Sequence, residues 1–206
     1  MSEFTIHRGF EPEQSEHVAR LYWTAFASKL TKLMGPDDKG ISFFTSVVDP
    51  EFALTAIGAG GEVLGVAGFK TSEGGLAGGD LRDLAKVYGW VGAIWRGLLL
   101  SVLERDLADN SLLMDGICVS ETARGQGVGT ALLAAIKEEA CARGLQDVRL
   151  DVIDTNPRAR ALYERQGFTA GETQYLGPLR YIFGFRSSVA MRYAVPAKEI
   201  RRDAAN

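Results

Sequence analysis

The chain has 206 residues, 46% apolar and 24% charged, with a formal net charge of −3. That length fits one domain, or one domain with an insertion, and the mildly acidic balance points away from nucleic acid. Cys118 and Cys141 give neither a disulfide framework nor metal-ligand spacing, and with only His7 and His17 no metal site is expected. The N-terminal MSEFTIHRGF lacks the basic-then-apolar pattern of a leader. The apolar run at 88–103 carries Arg96 and is shorter than the roughly 20 residues that span a bilayer. These features lead us to expect a cytoplasmic protein with no membrane partner.

Residues 4–10 alternate apolar and polar and read as a first strand. A helical pattern follows Pro12, through Val18, Leu21, Tyr22, Ala25, Phe26, Leu30 and Leu33, and stops at Gly35-Pro36. Residues 37–48 read as a short helix with Phe43, Phe44 and Val47 inward. Strands at 52–57 and 63–69 form a hairpin across Gly58-Ala59-Gly60-Gly61, and 74–79 is a flexible glycine-rich link. A long helical pattern then begins at Asp80 and puts Leu81, Leu84, Tyr88, Val91, Trp95, Leu98 and Val102 on one face, expected to pack in the core or act as a lid, with a substrate-pocket wall or a dimer face as the alternative. Gly89, Gly92 and Gly97 weaken or break it.

Residues 112–119 form a central strand that runs into Arg124-Gly125-Gln126-Gly127-Val128-Gly129-Thr130 and then a helix over 131–143. A further buried strand at 147–153 precedes a helix at 157–166 with Pro157 in its first turn and Gly167 past its end. Strands at 168–176 and 187–194 follow, and a charged tail closes the chain.

Strand, glycine-rich turn and helix N-terminus together make an anion cradle. Glycine removes the Cβ atoms that keep a ligand off the backbone, and the unpaired N–H groups and the helix dipole point at the guest. A P-loop is ruled out because no Lys follows Gly129. A dinucleotide fingerprint needs G-x-G-x-x-G, whereas Gly125, Gly127 and Gly129 are each two apart. Asp151 and Asp154 at the end of the next strand keep that alternative in view.

Arg124-x-x-Gly127-x-Gly129 instead resembles the acyl-CoA pyrophosphate loop of the GCN5-related N-acetyltransferase (GNAT) family. The resemblance continues about 30 residues on, in Asn156-Pro157, Ala159, Ala161, Leu162-Tyr163 and Gly167-Phe168. It covers 112–168. It implies an α/β (α+β) fold with a mixed central β-sheet of about six or seven strands flanked by helices, as one domain over 1–196. A helical insertion at about 80–109 and the tail at 197–206 fall outside the family pattern. The implied activity is transfer of an acetyl group from acetyl-CoA to a small-molecule or peptide amine, without a metal; a fold that keeps the CoA site but has lost catalysis is the alternative. A homodimer is also expected to be compatible with this fold, with the insertion as one face.

The resemblance implies roles for particular residues. Backbone groups of Gly125, Gln126, Gly127, Val128, Gly129 and Thr130 would meet the pyrophosphate, beside Arg124. Backbone groups of Ile117, Cys118 and Val119 would pair with the pantetheine arm on a splayed strand edge. Asn156 would support that arm, or serve as a helix N-cap, and Arg158 and Arg160 flank it. Tyr163 would act as the acid at the departing sulfur, or be a core aromatic. Asp115, a carboxylate inside an apolar strand, would be the base or amine anchor, with Glu121 as a weaker candidate. By alternation Asp115 is expected to share the face of Ile117 and Val119, with Cys118 facing away.

Overall fold

The computed structural model describes residues 3–101 and 110–196; the end of the expected insertion and the charged tail lie outside them. Chain order begins with β1 (Phe4–Arg8), α1 (Ser15–Met34), α2 (Asp37–Val47), β2 (Ala53–Gly58), β3 (Val63–Thr71), β4 (Gly74–Gly75) and α3 (Leu81–Ser101). It continues with β5 (Ser111–Val119), α4 (Val128–Ala142), β6 (Asp147–Ile153), α5 (Pro157–Arg165), β7 (Thr169–Tyr175), α6 (Arg180–Phe183) and β8 (Ser187–Ala194). The strands make one eight-stranded sheet in the order β1-β2-β3-β5-β6-β8-β7, with β4 hairpinned onto β3. The expected flexible link at 74–79 is therefore partly strand: Gly74 and Gly75 pair with Thr71 and Lys70.

All contacts in the sheet are antiparallel except β5–β6. That pair holds only at Ser111–Asp147, Leu112–Val148 and Leu113–Arg149. Beyond it β6 stays with β8 as far as Ile153–Ser188, while β5 stays with β3 as far as Val119–Gly65. The two parallel strands separate, and among the described residues no strand pairs with β5 on its β6 side from Met114 to Val119.

Two apolar cores result. The larger lies between the sheet and α4 and contains Phe69, Leu112, Leu132, Leu133, Ile136 and Leu150. The second is helical: Trp23, Leu33 and Met34 of α1, Phe43 and Phe44 of α2, Leu84 and Ala93 of α3, and Phe183 of α6. The α1–α2 approach is close enough that a Cβ on Gly40 would lie 2.3 Å from the Trp23 ring, so only glycine fits there.

The insertion is not one straight helix. Gly89 has φ 69° and ψ 164° and breaks it, in the region of backbone space that glycine enters at little cost. In a straight helix Leu81 and Gly97 would lie about 24 Å apart, yet a Cβ on Gly97 would sit 3.2 Å from Leu81 Cδ1. The two halves fold back on each other as a hairpin. The hairpin is fixed to the end of α1 by Arg96 Nε donating to the Leu33 carbonyl at 2.8 Å and by the Tyr88 hydroxyl donating to the Met34 carbonyl.

The break resets the helical phase, so the single inward face expected from the sequence is not formed. Leu84 and Ala93 are buried, but Val91 is 82% and Leu98 71% exposed, and Trp90, Ile94 and Trp95 also face solvent.

Candidate active site

The glycine turn sits where β5 ends. A short turn over Glu121–Ala123 is anchored by buried Ala123, and α4 begins at Val128, three residues earlier than the sequence pattern indicates. Gly125 and Gly127 both have positive φ, 77° and 87°, which favours glycine. A Cβ on either would meet nothing within 4 Å, and one on Gly129 only Val119 Cγ2 at 3.8 Å. The approach to the turn is open.

Gly127 is the N-cap of α4 and supplies no side-chain cap. Among the described residues no backbone carbonyl accepts from the N–H groups of Gly125, Gly127, Val128, Gly129 or Thr130. Gln126 differs, since its N–H donates to Ala123 at 3.4 Å and its side-chain amide to the Thr122 carbonyl at 2.7 Å. Five open donors at a helix start fit a phosphate or pyrophosphate. Arg124 lies beside them, exposed, 3.4 Å from Glu121. Glu121 does not line the cavity described next.

On the other side of β5 is a cavity of about 570 Å³ walled by α1, α2, α3 and β5. Asp115 lines it because of a bulge. Gly116 pairs with Gly68 and Met114 with Phe69, so Asp115 is the extra residue on β5. The bulge breaks the alternation. A Cβ on Gly116 would lie 2.4 Å from Phe26 of α1, and Asp115 shares the cavity with Tyr22 and Phe26. The expected grouping with Ile117 and Val119 is thus corrected. Asp115 turns to the α1 side, the side of Cys118, and the Tyr22 phenol feels both groups. Ile117 and Val119, which pair with Ala67 and Gly65, face α4.

Burial pushes the Asp115 carboxyl up from 3.8 to about 6, with Lys70 of β3 opposing the shift. Burial, and then the charges of Asp115 and Cys118, raises the Tyr22 phenol well above 10. Tyr22 and Lys70 both line this cavity; in the sequence Tyr22 stands among the aromatics that hint at an apolar pocket, whereas Lys70 looks only like a strand end.

Tyr163 is 8% exposed on α5. Its ring packs on Phe168 with centroids 5.9 Å apart. Burial first, and Cys118 second, pushes its phenol up to about 12. It is therefore both a core aromatic and a hydroxyl near Cys118, at the far end of β5. Asn156 is the N-cap of α5, and its Oδ1 accepts from the Ala159 N–H at 3.1 Å. Arg160 pairs with Glu164 at 2.9 Å, and Arg158 is exposed.

An open helix-start cradle, a strand parted from its parallel neighbour, a phenol near that strand and a carboxylate lining the cavity thus lie around β5. The family model for the acetyltransferase (GNAT) family matches residues 15–168, and the chain belongs to that family. The acetyltransferase Atu2258 of Agrobacterium fabrum is 46% identical over 61 residues, a match covering 30% of this chain and 42% of that protein.

Among solved structures, an N-acetyltransferase from Staphylococcus aureus Mu50 superposes with TM-score 0.64 at 15% identity, over 92% of this chain and all of that one. A GCN5-related N-acetyltransferase from Kribbella flavida gives 0.61 at 17%, over 93% of this chain and 97% of that one. At such identities the likeness is one of fold. The dinucleotide alternative falls away with the sheet order.

Proposed function

We propose that the protein transfers an acetyl group from acetyl-CoA to a primary amine by direct attack, without a covalent enzyme intermediate. The observation that carries this reading is the parting of β5 from β6 directly ahead of the open glycine cradle. The cradle N–H groups take the pyrophosphate, and the free edge of β5 at Ile117, Cys118 and Val119 takes the amide-bearing arm. The thioester then lies against β5, between the Tyr163 hydroxyl and Asp115.

The ammonium of the acceptor enters the cavity beside Asp115, which takes its extra proton. The neutral nitrogen attacks the thioester carbon. The C–N bond forms, the C–S bond breaks, the amide nitrogen sheds one proton, and the sulfur ends as a thiol. With its pKa pushed up to about 12, Tyr163 is neutral at pH 7. Full proton transfer from such a phenol to a thiolate of pKa about 8.5 runs uphill by about 5 kcal/mol. Tyr163 therefore acts first as a hydrogen-bond donor to the departing sulfur and passes a proton only as one is replaced. Asn156 caps α5 and so fixes the helix that carries Tyr163.

The test is to mix the protein with acetyl-CoA and a panel of primary amines and to follow free thiol. Amine-dependent thiol release supports the reading. Tight acetyl-CoA binding with no release from any amine would instead point to a binding module.

A further inference from the structure

The cavity beside Asp115 has a definite chemical character. Its rear wall is aromatic. The rings of Tyr22 and Phe26 are 4.5 Å apart, and those of Tyr22 and Phe44 are 5.0 Å apart. Leu84 and Leu100, one from each half of the α3 hairpin, form another wall. The charged side chains lining it, among the described residues, are Asp115, Asp151 and Lys70.

The α3 hairpin also closes a side that a sheet-and-two-helix frame would leave open. It is held to the carbonyls of Leu33 and Met34, so this wall is anchored at the end of α1. A volume of about 570 Å³ is that of a small-molecule pocket.

We infer that the acceptor is a small monocationic primary amine with a bulky apolar, preferably aromatic, body: the ammonium goes to Asp115 and the body lies among Tyr22, Phe26, Phe44 and Leu84. This rests on the function proposed above and narrows it. A polyhydroxylated amine would lose hydrogen bonds to water against the aromatic and leucine walls, which offer none in return. A linear polyamine would bring a second ammonium into a cavity that already holds Lys70. A peptide N-terminus would have to thread past the α3 hairpin.

The experiment compares phenethylamine, spermidine and an alanine-initiated hexapeptide as acceptors. It reads kcat/KM by thiol release with saturating acetyl-CoA, for the wild type and for Phe26→Leu and Leu84→Ala. The expected result is phenethylamine preferred by at least about tenfold over both others, the scale on which an apolar pocket discriminates. Either variant should raise the phenethylamine KM by about tenfold while leaving acetyl-CoA affinity, measured by calorimetry, within about twofold.

Preference for spermidine or the peptide would overturn the inference and leave the acetyltransferase reading standing. Preference for phenethylamine with no KM change in either variant would place the acceptor elsewhere and would also overturn it. Thiol release with none of the three, although acetyl-CoA binds, would overturn the inference. If the wide amine panel also gave none, the proposed function would fall with it.

Discussion

The proposed donor end and the proposed acceptor cavity lie on either side of β5 and are built differently. The donor end is backbone: open N–H groups at Gly125, Gly127, Val128, Gly129 and Thr130, and a strand edge left free when β6 departs. The acceptor cavity is side chain: rings from α1 and α2, leucines from a hairpin, and one bulged carboxylate. Backbone recognition requires glycine and a helix start and tolerates little else. Side-chain recognition can be rebuilt residue by residue. On the proposed function, the donor end can therefore serve any acceptor, and specificity is set in the cavity.

Substitutions on each side should separate the two. The largest effect is expected from Gly129→Trp, which fills the cradle. Acetyl-CoA affinity should fall by about 100-fold or more, measured by calorimetry, while a preserved circular-dichroism melt shows the fold intact; unchanged affinity would break the assignment of the donor end.

Asp115→Asn should lower kcat/KM for the amine by roughly 10²-fold, within the range for loss of a general base, and leave acetyl-CoA affinity alone. It should also act on stability with a definite sign. Burial raises the carboxyl from 3.8 to about 6, so the folded state disfavours the charge. That penalty is absent below about pH 4, grows between about pH 4 and 6, and is complete above. The variant should therefore melt higher than the wild type near pH 8 and no higher near pH 4. Lower stability at both pH values would make Asp115 structural.

Tyr163→Phe should lower kcat by roughly 10- to 100-fold with little change in either KM; a wild-type rate would show that solvent alone serves the sulfur. Gly116→Ala is smaller and confined to the acceptor. The new Cβ would stand 2.4 Å from Phe26 and push that ring into the cavity, so the amine KM should rise several-fold as the cavity narrows, with acetyl-CoA affinity unchanged. The smallest effect is expected from Gly89→Ala. It strains a φ of 69°, should cost about 1 kcal/mol in urea unfolding, and should touch acceptor kinetics before donor binding. A change in acetyl-CoA affinity in either glycine variant would mean the two sides are coupled.

The same contrast explains what could be read from the sequence. β5, the glycine turn, α4, β6 and α5 are legible because each carries a local signal: an apolar run, positive-φ glycines, or an Asn-Pro helix start. The N-terminal order from β1 to β3 is legible from periodicity, and β8 from the Gly177-Pro178 and Gly184 breaks that precede it. The bulge at Asp115 has no such signal. A nine-residue apolar strand reads as straight, and only the β3 partner, through Gly68 and Phe69, shows that one residue is extra.

Three glycines in the insertion predict weakness, but only Gly89 takes positive φ, and which one bends depends on the packing of Leu81, Leu84 and Gly97. The four-residue α6 is too short for periodicity to reveal. The aromatic character of the cavity is legible in Tyr22, Phe43 and Phe44, but Lys70 joins its lining only through tertiary placement, since it stands in no motif.

The central claim is that an acyl donor on one side of β5 meets an amine held by Asp115 on the other. The most direct measurement is the pH dependence of kcat/KM for acetylation of phenethylamine, for the wild type and for Asp115→Asn. The account predicts a wild-type profile that rises through an apparent pKa near 6 and falls only as the amine itself loses its charge, with the acidic limb missing and the plateau lowered in the variant. An Asp115→Asn enzyme with the wild-type plateau and the same acidic limb would contradict it.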